Sequence, residues 1–232
     1  MNILIIKIRQ FNSVVRVFGS KFLRIFELAI LRAEWDIKNK NNDTYPVSYF
    51  PINLVTIGDY TYGPINVYTY ESWNEGLEIG KYCSIARDVK FILGGNHKTD
   101  CLMTFPLLNK FGGNNVNDAT SKGKIILEDD VWIGVGSTVL SGVRLGQGCV
   151  VAAGSVVSKS FPPFALIGGV PAKIIKMRFE DEVINKLKNE DIKLGKIHPS
   201  EIMQVIDSFN IPLNKESVDD LIFILKKNGF FK

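Results

Sequence analysis

Between Ile126 and Ser158 the chain places Leu127, Ile133, Val139, Leu145, Val151 and Val157 six residues apart without a slip. Four residues after each of the first five stand Val131, Ser137, Val143, Cys149 and Ser155, all compact. A helix does not produce this spacing, because six residues make about 1.7 turns and the apolar set would spiral around the axis. It would also carry glycines at 134, 136, 142, 146, 148 and 154, each costing about 1 kcal/mol against alanine. An ordinary sheet strand fails as well, since glycine recurs where a strand needs side chains. The pattern is that of a mainly β hexapeptide solenoid. Short strands alternate with corners, and one bulky aliphatic residue per side points into a narrow core.

The 232 residues suit one principal domain with appendages. A net charge of +4, scattered along the chain, and the lack of a helix-turn-helix, zinc-finger or RRM signature argue against a nucleic-acid partner. Cys83, Cys101 and Cys149 are odd in number and form no C-x-x-C pair. Cys83 and Cys149 fall on the small inward position of a repeat, so they read as buried thiols of a reducing, cytoplasmic compartment. No apolar run reaches the ~18 residues of a membrane span, and MNILIIKI lacks the small-residue cleavage site of a signal peptide.

From Phe11 the spacing turns helical, with Phe11, Val14, Val15, Phe18, Phe22, Ile25, Phe26 and Ala29 on one face. Six basic residues (Lys7, Arg9, Arg16, Lys21, Arg24 and Arg32) stand against Glu27. Such a helix packs on the solenoid or a neighbouring subunit, which is the favoured reading, or lies on an anionic membrane surface. Residues 38–43 form a polar loop and Tyr45–Pro51 an irregular lead-in. Repeats follow at Ile57–Tyr62 and Leu77–Phe91, with Ile79, Cys83, Ile85 and Phe91 at repeat positions. Gly168-Gly169 and Pro171 stop the last strand. Three short helices, near 180–190, 199–208 and 216–228, then cap the open end. The expected domains are an amino-terminal helix and linker (1–50), a β-helix (51–178) and a helical cap (179–232).

The repeat lapses between Gly94 and Lys124, and long loops inside compact arrays are usually functional. This one carries GGNHKTD, residues 94–100, with His97 one of two histidines; the other, His198, precedes Pro199 and reads as surface. Imidazole titrates near neutral pH and can take a proton from an attacking hydroxyl or amine. A turn histidine bonded to backbone is the bland alternative.

LEIGKYCSI, ILGGNHKTD, TFP, EDDVWIGVGSTVL, VVAAGSVV and IGGVPAKIIKMRF, in that order over residues 52–180, resemble the xenobiotic branch of the hexapeptide-repeat acyltransferases. That branch includes type B chloramphenicol and streptogramin acetyltransferases and many polysaccharide O-acetyltransferases. The resemblance implies a left-handed β-helix, against the usual right-handed crossover, acetyl-CoA as co-substrate without a metal, and a homotrimer with interfacial sites. It implies His97 as general base, Tyr62 and Trp132 at the acceptor cleft, and Ala152, Ala153 and Gly154 along the pantetheine arm. Lys159 and Lys173 match positions near the CoA nucleotide. The alternatives are repeat packing for the small residues, solvated charge for the lysines and an exterior platform for Trp132.

The chain departs from the drug-modifying members after residue 180, where it has no tryptophan-rich stretch. It departs again in GPINVYTYESWNEG, where Tyr68, Tyr70 and Trp73 can form a sugar-stacking platform. These differences favour an O-acetyltransferase of a capsule or O-antigen sugar, cytoplasmic or peripheral at the inner membrane. The rivals are N-acetylation of a nucleotide-linked amino sugar, antibiotic acetylation, and a non-catalytic scaffold. A zinc hydratase of this fold needs three histidines, and the chain has two.

Overall fold

The computed structural model describes Gly19 and residues 22–112, 120–190 and 199–228. The expected positions Lys7, Arg9, Phe11, Val14, Val15, Arg16, Phe18, Lys21 and His198 lie outside them. The repeats wind into a three-sided left-handed parallel β-helix. Sheet 1 stacks β2 (Val55–Ile57), β5 (Leu77–Ile79), β8 (Ile125–Leu127) and β11 (Arg144–Leu145). Sheet 2 runs β1 (Asp43–Pro46), β3 (Tyr62–Ile65), β6 (Ser84–Ile85), β9 (Trp132–Ile133), β12 (Val150–Val151), β14 (Ala165–Gly169) and β15 (Ala172–Met177). Sheet 3 stacks β4 (Val67–Tyr68), β7 (Lys90–Ile92), β10 (Thr138–Leu140) and β13 (Val156–Val157). Each coil passes from sheet 1 to sheet 2 to sheet 3, so the parallel neighbours within a sheet come from successive coils.

The six-residue spacing becomes three columns of side chains. Ile57, Ile79, Leu127 and Leu145 align through sheet 1, and Val67, Phe91, Val139 and Val157 through sheet 3. Ile85, Ile133, Val151 and Ile167 align through sheet 2. All but Ile57 are buried in one core, and the compact residues Val131, Ser137, Val143, Cys149 and Ser155 are buried between them. Ser137 and Ser155 satisfy their hydroxyls on the Ala152 carbonyl, so neither is an orphaned polar group. Gly136, Gly142, Gly148 and Gly154 are the left-handed residues of successive corners, with φ of 71°, 77°, 69° and 68°. Glycine recurs there because the corner needs that conformation, which costs a side-chain-bearing residue about 1 kcal/mol or more.

Two expectations are refined and one is corrected. Of the lead-in Tyr45–Pro51, only Tyr45 and Pro46 are strand, as the end of β1, which pairs in parallel with β3 from Asp43 to Pro46; residues 47–51 are irregular. β14 stops at Gly169, ahead of Pro171, and after the turn β15 returns antiparallel along it. The amino-terminal helix, α1 (22–38), does not pack by the face of Phe22, Ile25, Phe26 and Ala29, which is exposed within the chain. It packs by Leu28, Leu31 and Trp35, whose ring meets Phe50 edge-on at 5.7 Å and whose indole N–H donates to Thr44.

After a short helix α2 (Leu107–Phe111) in the long loop, three helices follow the β-helix: α3 (Asp181–Asn189), α4 (Pro199–Phe209) and α5 (Ser217–Lys227). Val183, Ile184, Leu187, Val218 and Ile222 form a second cluster with Phe164 at the end of the solenoid. Among the described residues no helix is long and apolar enough to cross a membrane.

Candidate functional site

The regular winding is broken twice, each time at the corner where sheet 3 returns to sheet 1. The first excursion covers residues 69–76 and the second 93–124. The second is closed at its root: Asn96 and Thr120 form an antiparallel bridge, and the Asn96 amide group also donates to Ser141 one coil on. His97 follows that bridge directly, so a fixed stem carries the base candidate.

The His97 ring is exposed and its Nδ1 lies 2.7 Å from the Thr104 carbonyl oxygen. A carbonyl only accepts, so Nδ1 carries a proton, and Nε2 is the nitrogen that holds the lone pair whenever the ring is neutral. That is the tautomer a general base needs. Lys98, Cys101, Met103 and Phe105 join His97 around a recess of about 150 Å³. Leu102, Met103, Leu108 and Phe111 of the same loop are exposed apolar side chains.

The two excursions touch. The Tyr70 ring covers the backbone of Gly95, where an added Cβ would come within 2.8 Å of it. The Asn74 side chain donates to the Ser121 carbonyl across the stem. Tyr68 and Tyr70 are partly exposed and Trp73 is 96% exposed, so the aromatic segment borders the His97 loop as an open shelf.

Tyr62 and Trp132 stand elsewhere. They lie in one row across the outer face of sheet 2, with Ser84 between them. Two strand spacings put them about 10 Å apart, and sheet 2 is the side of the prism facing away from the corner that bears His97. Within one chain the four expected acceptor residues therefore form two groups, Tyr68 and Tyr70 beside the base loop, Tyr62 and Trp132 on the far face.

Ala152, Ala153 and Gly154 occupy the corner between sheets 2 and 3, above Gly134 and below Gly168. A Cβ on Gly134 would meet the Ala153 backbone at 2.6 Å, and one on Gly168 would meet the Ala152 methyl at 3.0 Å. At Gly136 and Gly154 nothing stands within 4 Å of the same position. The corner thus pairs close backbone packing at Gly134 and Gly168 with open space at Gly136 and Gly154. Lys173, opposite Gly168 in the β14–β15 hairpin, borders this strip. Lys159 does not: it follows β13 on the His97 corner, 5.6 Å above the Phe161 ring.

Burial pushes the Cys83 and Cys149 thiols up to about 12, so both are inert near neutrality. Asp130 is raised above the usual carboxylate range by burial, with Arg178 opposing the shift through a 3.1 Å ion pair. No group of three His, Cys, Asp or Glu side chains that could hold a metal occurs among the described residues. The residues that sequence reasoning missed are Thr104, whose backbone orients His97, and Glu75, buried beneath Gly94. No motif signals the first, because its contribution is a carbonyl group.

Residues 124–159 match the family described as the hexapeptide repeat of succinyl-transferase. A probable macrolide acetyltransferase of Lysinibacillus sphaericus is 42% identical over 125 residues, 51% of this chain and 69% of that protein. A chloramphenicol acetyltransferase of Klebsiella aerogenes is 39% identical over 117 residues, 48% of this chain and 56% of its own length. The chain thus spans just over two thirds of the first and little more than half of the second. Among solved structures, the hexapeptide-repeat acetyltransferase VCA0836 of Vibrio cholerae superposes with a TM-score of 0.49 at 26% identity, covering 63% of this chain and 80% of that one.

Proposed function

The chain belongs to the hexapeptide-repeat acetyltransferase family, and from that premise we propose that it transfers an acetyl group from acetyl-CoA to a hydroxyl of a cell-surface sugar. The observation that carries the reading is the His97 ring, held by the Thr104 carbonyl with Nε2 free beside an aromatic shelf.

In this mechanism Nε2 takes the proton of the acceptor hydroxyl as its oxygen attacks the thioester carbonyl carbon. The tetrahedral adduct collapses with cleavage of the C–S bond, and the imidazolium returns the proton to the departing thiolate. No acyl-enzyme is needed. The Ala152–Gly154 corner lets the pantetheine arm lie against backbone, and Lys173 supplies a cation for a phosphate. Lys159 serves that role only across a subunit boundary. Tyr68, Tyr70 and Trp73 offer flat apolar faces of the kind that stack on sugar rings. Tyr62 and Trp132, on the opposite side of the prism, complete a cleft only if another copy brings them to the His97 corner, and the homotrimer that the family resemblance implies would supply that copy. The protein acts in the cytoplasm. The exposed Phe22, Leu23, Ile25 and Phe26 of α1 give it an edge for contact with the inner membrane surface.

A second reading has a specific observation behind it: the two relatives named above are described as acting on a macrolide and on chloramphenicol. The same base and cleft would acetylate a drug hydroxyl, and an amino-sugar nitrogen would serve as a third acceptor.

The deciding experiment is acetyl-CoA-dependent thiol release with neutral oligosaccharides, nucleotide-linked amino sugars, chloramphenicol and a streptogramin, run beside His97→Ala. Release with an oligosaccharide that disappears in the variant supports the proposal. Release with a drug alone overturns the acceptor class, and release that survives His97→Ala overturns the base.

A further inference from the structure

Glu75 is a carboxylate 6% exposed at the end of the first excursion. It spends both oxygens on its own segment: the Thr69 hydroxyl donates to Oε2, and the Tyr70 backbone N–H donates to Oε1 at 3.1 Å and Oε2 at 3.0 Å. A buried carboxylate is costly unless it is bonded in this way, and a neutral turn would have closed residues 69–76 without that cost. Its position gives the reason for its presence. The Glu75 side chain fills the space above Gly94, where a Cβ would run into Oε1, and the tyrosine whose N–H it holds lies over Gly95. Leu93 bonds back to Tyr68, and Ser121, whose hydroxyl donates to Leu93, takes the Asn74 amide. The segment before His97 is therefore laid on a surface whose shape Glu75 sets.

Resting on the reading of His97 as base and of the aromatic segment as acceptor shelf, we propose that Glu75 is a positioning residue that clasps the two together. It touches neither reactant. It fixes the Tyr70 ring against Gly95, so that the acceptor platform and the base loop move as one body and the distance from acceptor hydroxyl to Nε2 is set in advance. Pre-set geometry of this kind supports transfer, because a displacement of about 1 Å can cost 10²-fold in rate.

Glu75→Ala, Glu75→Gln and Thr69→Val test the clasp in the full chain. Glutamine can still accept from the Tyr70 N–H and present its amide to the Thr69 oxygen, so it should rescue. Amide exchange is the first readout: Glu75→Ala should speed exchange at residues 93–98 at least tenfold while residues 126–158 keep the wild-type rate. Thr69→Val should give a smaller change of the same kind should the alanine variant not fold. Kinetics give the second readout, with maltotriose as the saccharide probe. Glu75→Ala should raise its KM and lower kcat together, leaving the dissociation constant of acetyl-CoA unchanged, and Glu75→Gln should restore both. Wild-type exchange at 93–98 in the alanine and valine variants overturns the clasp, as does a loss of acetyl-CoA affinity in step with kcat. If the wild-type protein transfers nothing to any acceptor, the functional reading fails while the exchange experiment still decides whether Glu75 couples the two segments.

Discussion

Tyr70 and Gly95 meet face to backbone, and the contact leaves no room for a methyl group, since a Cβ on Gly95 would sit 2.8 Å from the tyrosine ring. Gly95 also has a φ of 80°, in the left-handed region where a side chain is strained. Two residues on stands His97, so the glycine governs how the His97 loop leaves the corner.

Gly95→Ala should accordingly lower kcat in thiol release by at least about tenfold while the β-helix keeps its circular dichroism. The conformational part costs about 1–2 kcal/mol, and the steric part comes from the ring. Tyr70→Ala should relieve only the second, so the double variant should be less than additive. Additive effects on thermal stability would mean that the two residues are not in contact.

Cys101 shares the recess of His97 and is the only exposed cysteine. Direct transfer predicts that Cys101→Ser keeps kcat within about twofold and that no burst of thiol precedes the steady state. Loss of turnover with acetyl-CoA binding intact would place a covalent step on that sulfur.

The other two thiols give a pH prediction. Cys83 and Cys149 ionise near 12 in the folded chain and near 9 when unfolded. A raised folded pKa stabilises below the unfolded value and is lost as pH climbs toward the folded one. Stability should therefore be flat in these groups below pH 9, then fall by up to about 1.4 kcal/mol per thiol per pH unit. Alkylation at pH 8 should count one reactive thiol in the native protein and three after denaturation; three in the native state would contradict the burial.

Leu145 is fully buried, bridged to Phe161 at the last turn of sheet 1, whereas Trp132 is 55% exposed. Leu145→Ala should cost about 2–5 kcal/mol in denaturant unfolding. Trp132→Ala should cost no more than about 0.5 kcal/mol, yet raise the acceptor KM. A large loss of stability from the tryptophan would make it a packing residue rather than part of a cleft.

The columns of the β-helix were legible because a repeat fixes inward positions locally: Leu127 faces in for the same reason as Leu145. Ile79, Ile85 and Phe91 could be placed by phase alone. The glycine-rich loop and the resemblance single out His97, but not the Thr104 carbonyl that its Nδ1 meets, because a backbone carbonyl carries no side-chain code. Glu75 was invisible for a related reason. A glutamate before Gly76 and Leu77 looks like any surface charge until winding brings Gly94 over it. The packing face of α1 escaped the periodicity argument because Phe22, Ile25 and Phe26 outweigh Leu31 and Trp35 in number, and it is Thr44 and Phe50, reached only through the fold, that select Trp35.

The reversed strand β15 has a wider consequence. A stack of parallel coils offers unpaired backbone groups at each end, a template on which another copy could grow. Sheet 2 closes itself by folding β15 back in the opposite sense, against which a parallel newcomer finds no matching register. With α3 and α5 laid against Phe164, the molecule carries its own stop to polymerisation. Deleting residues 170–228 should thus turn a discrete protein into one that lengthens end to end.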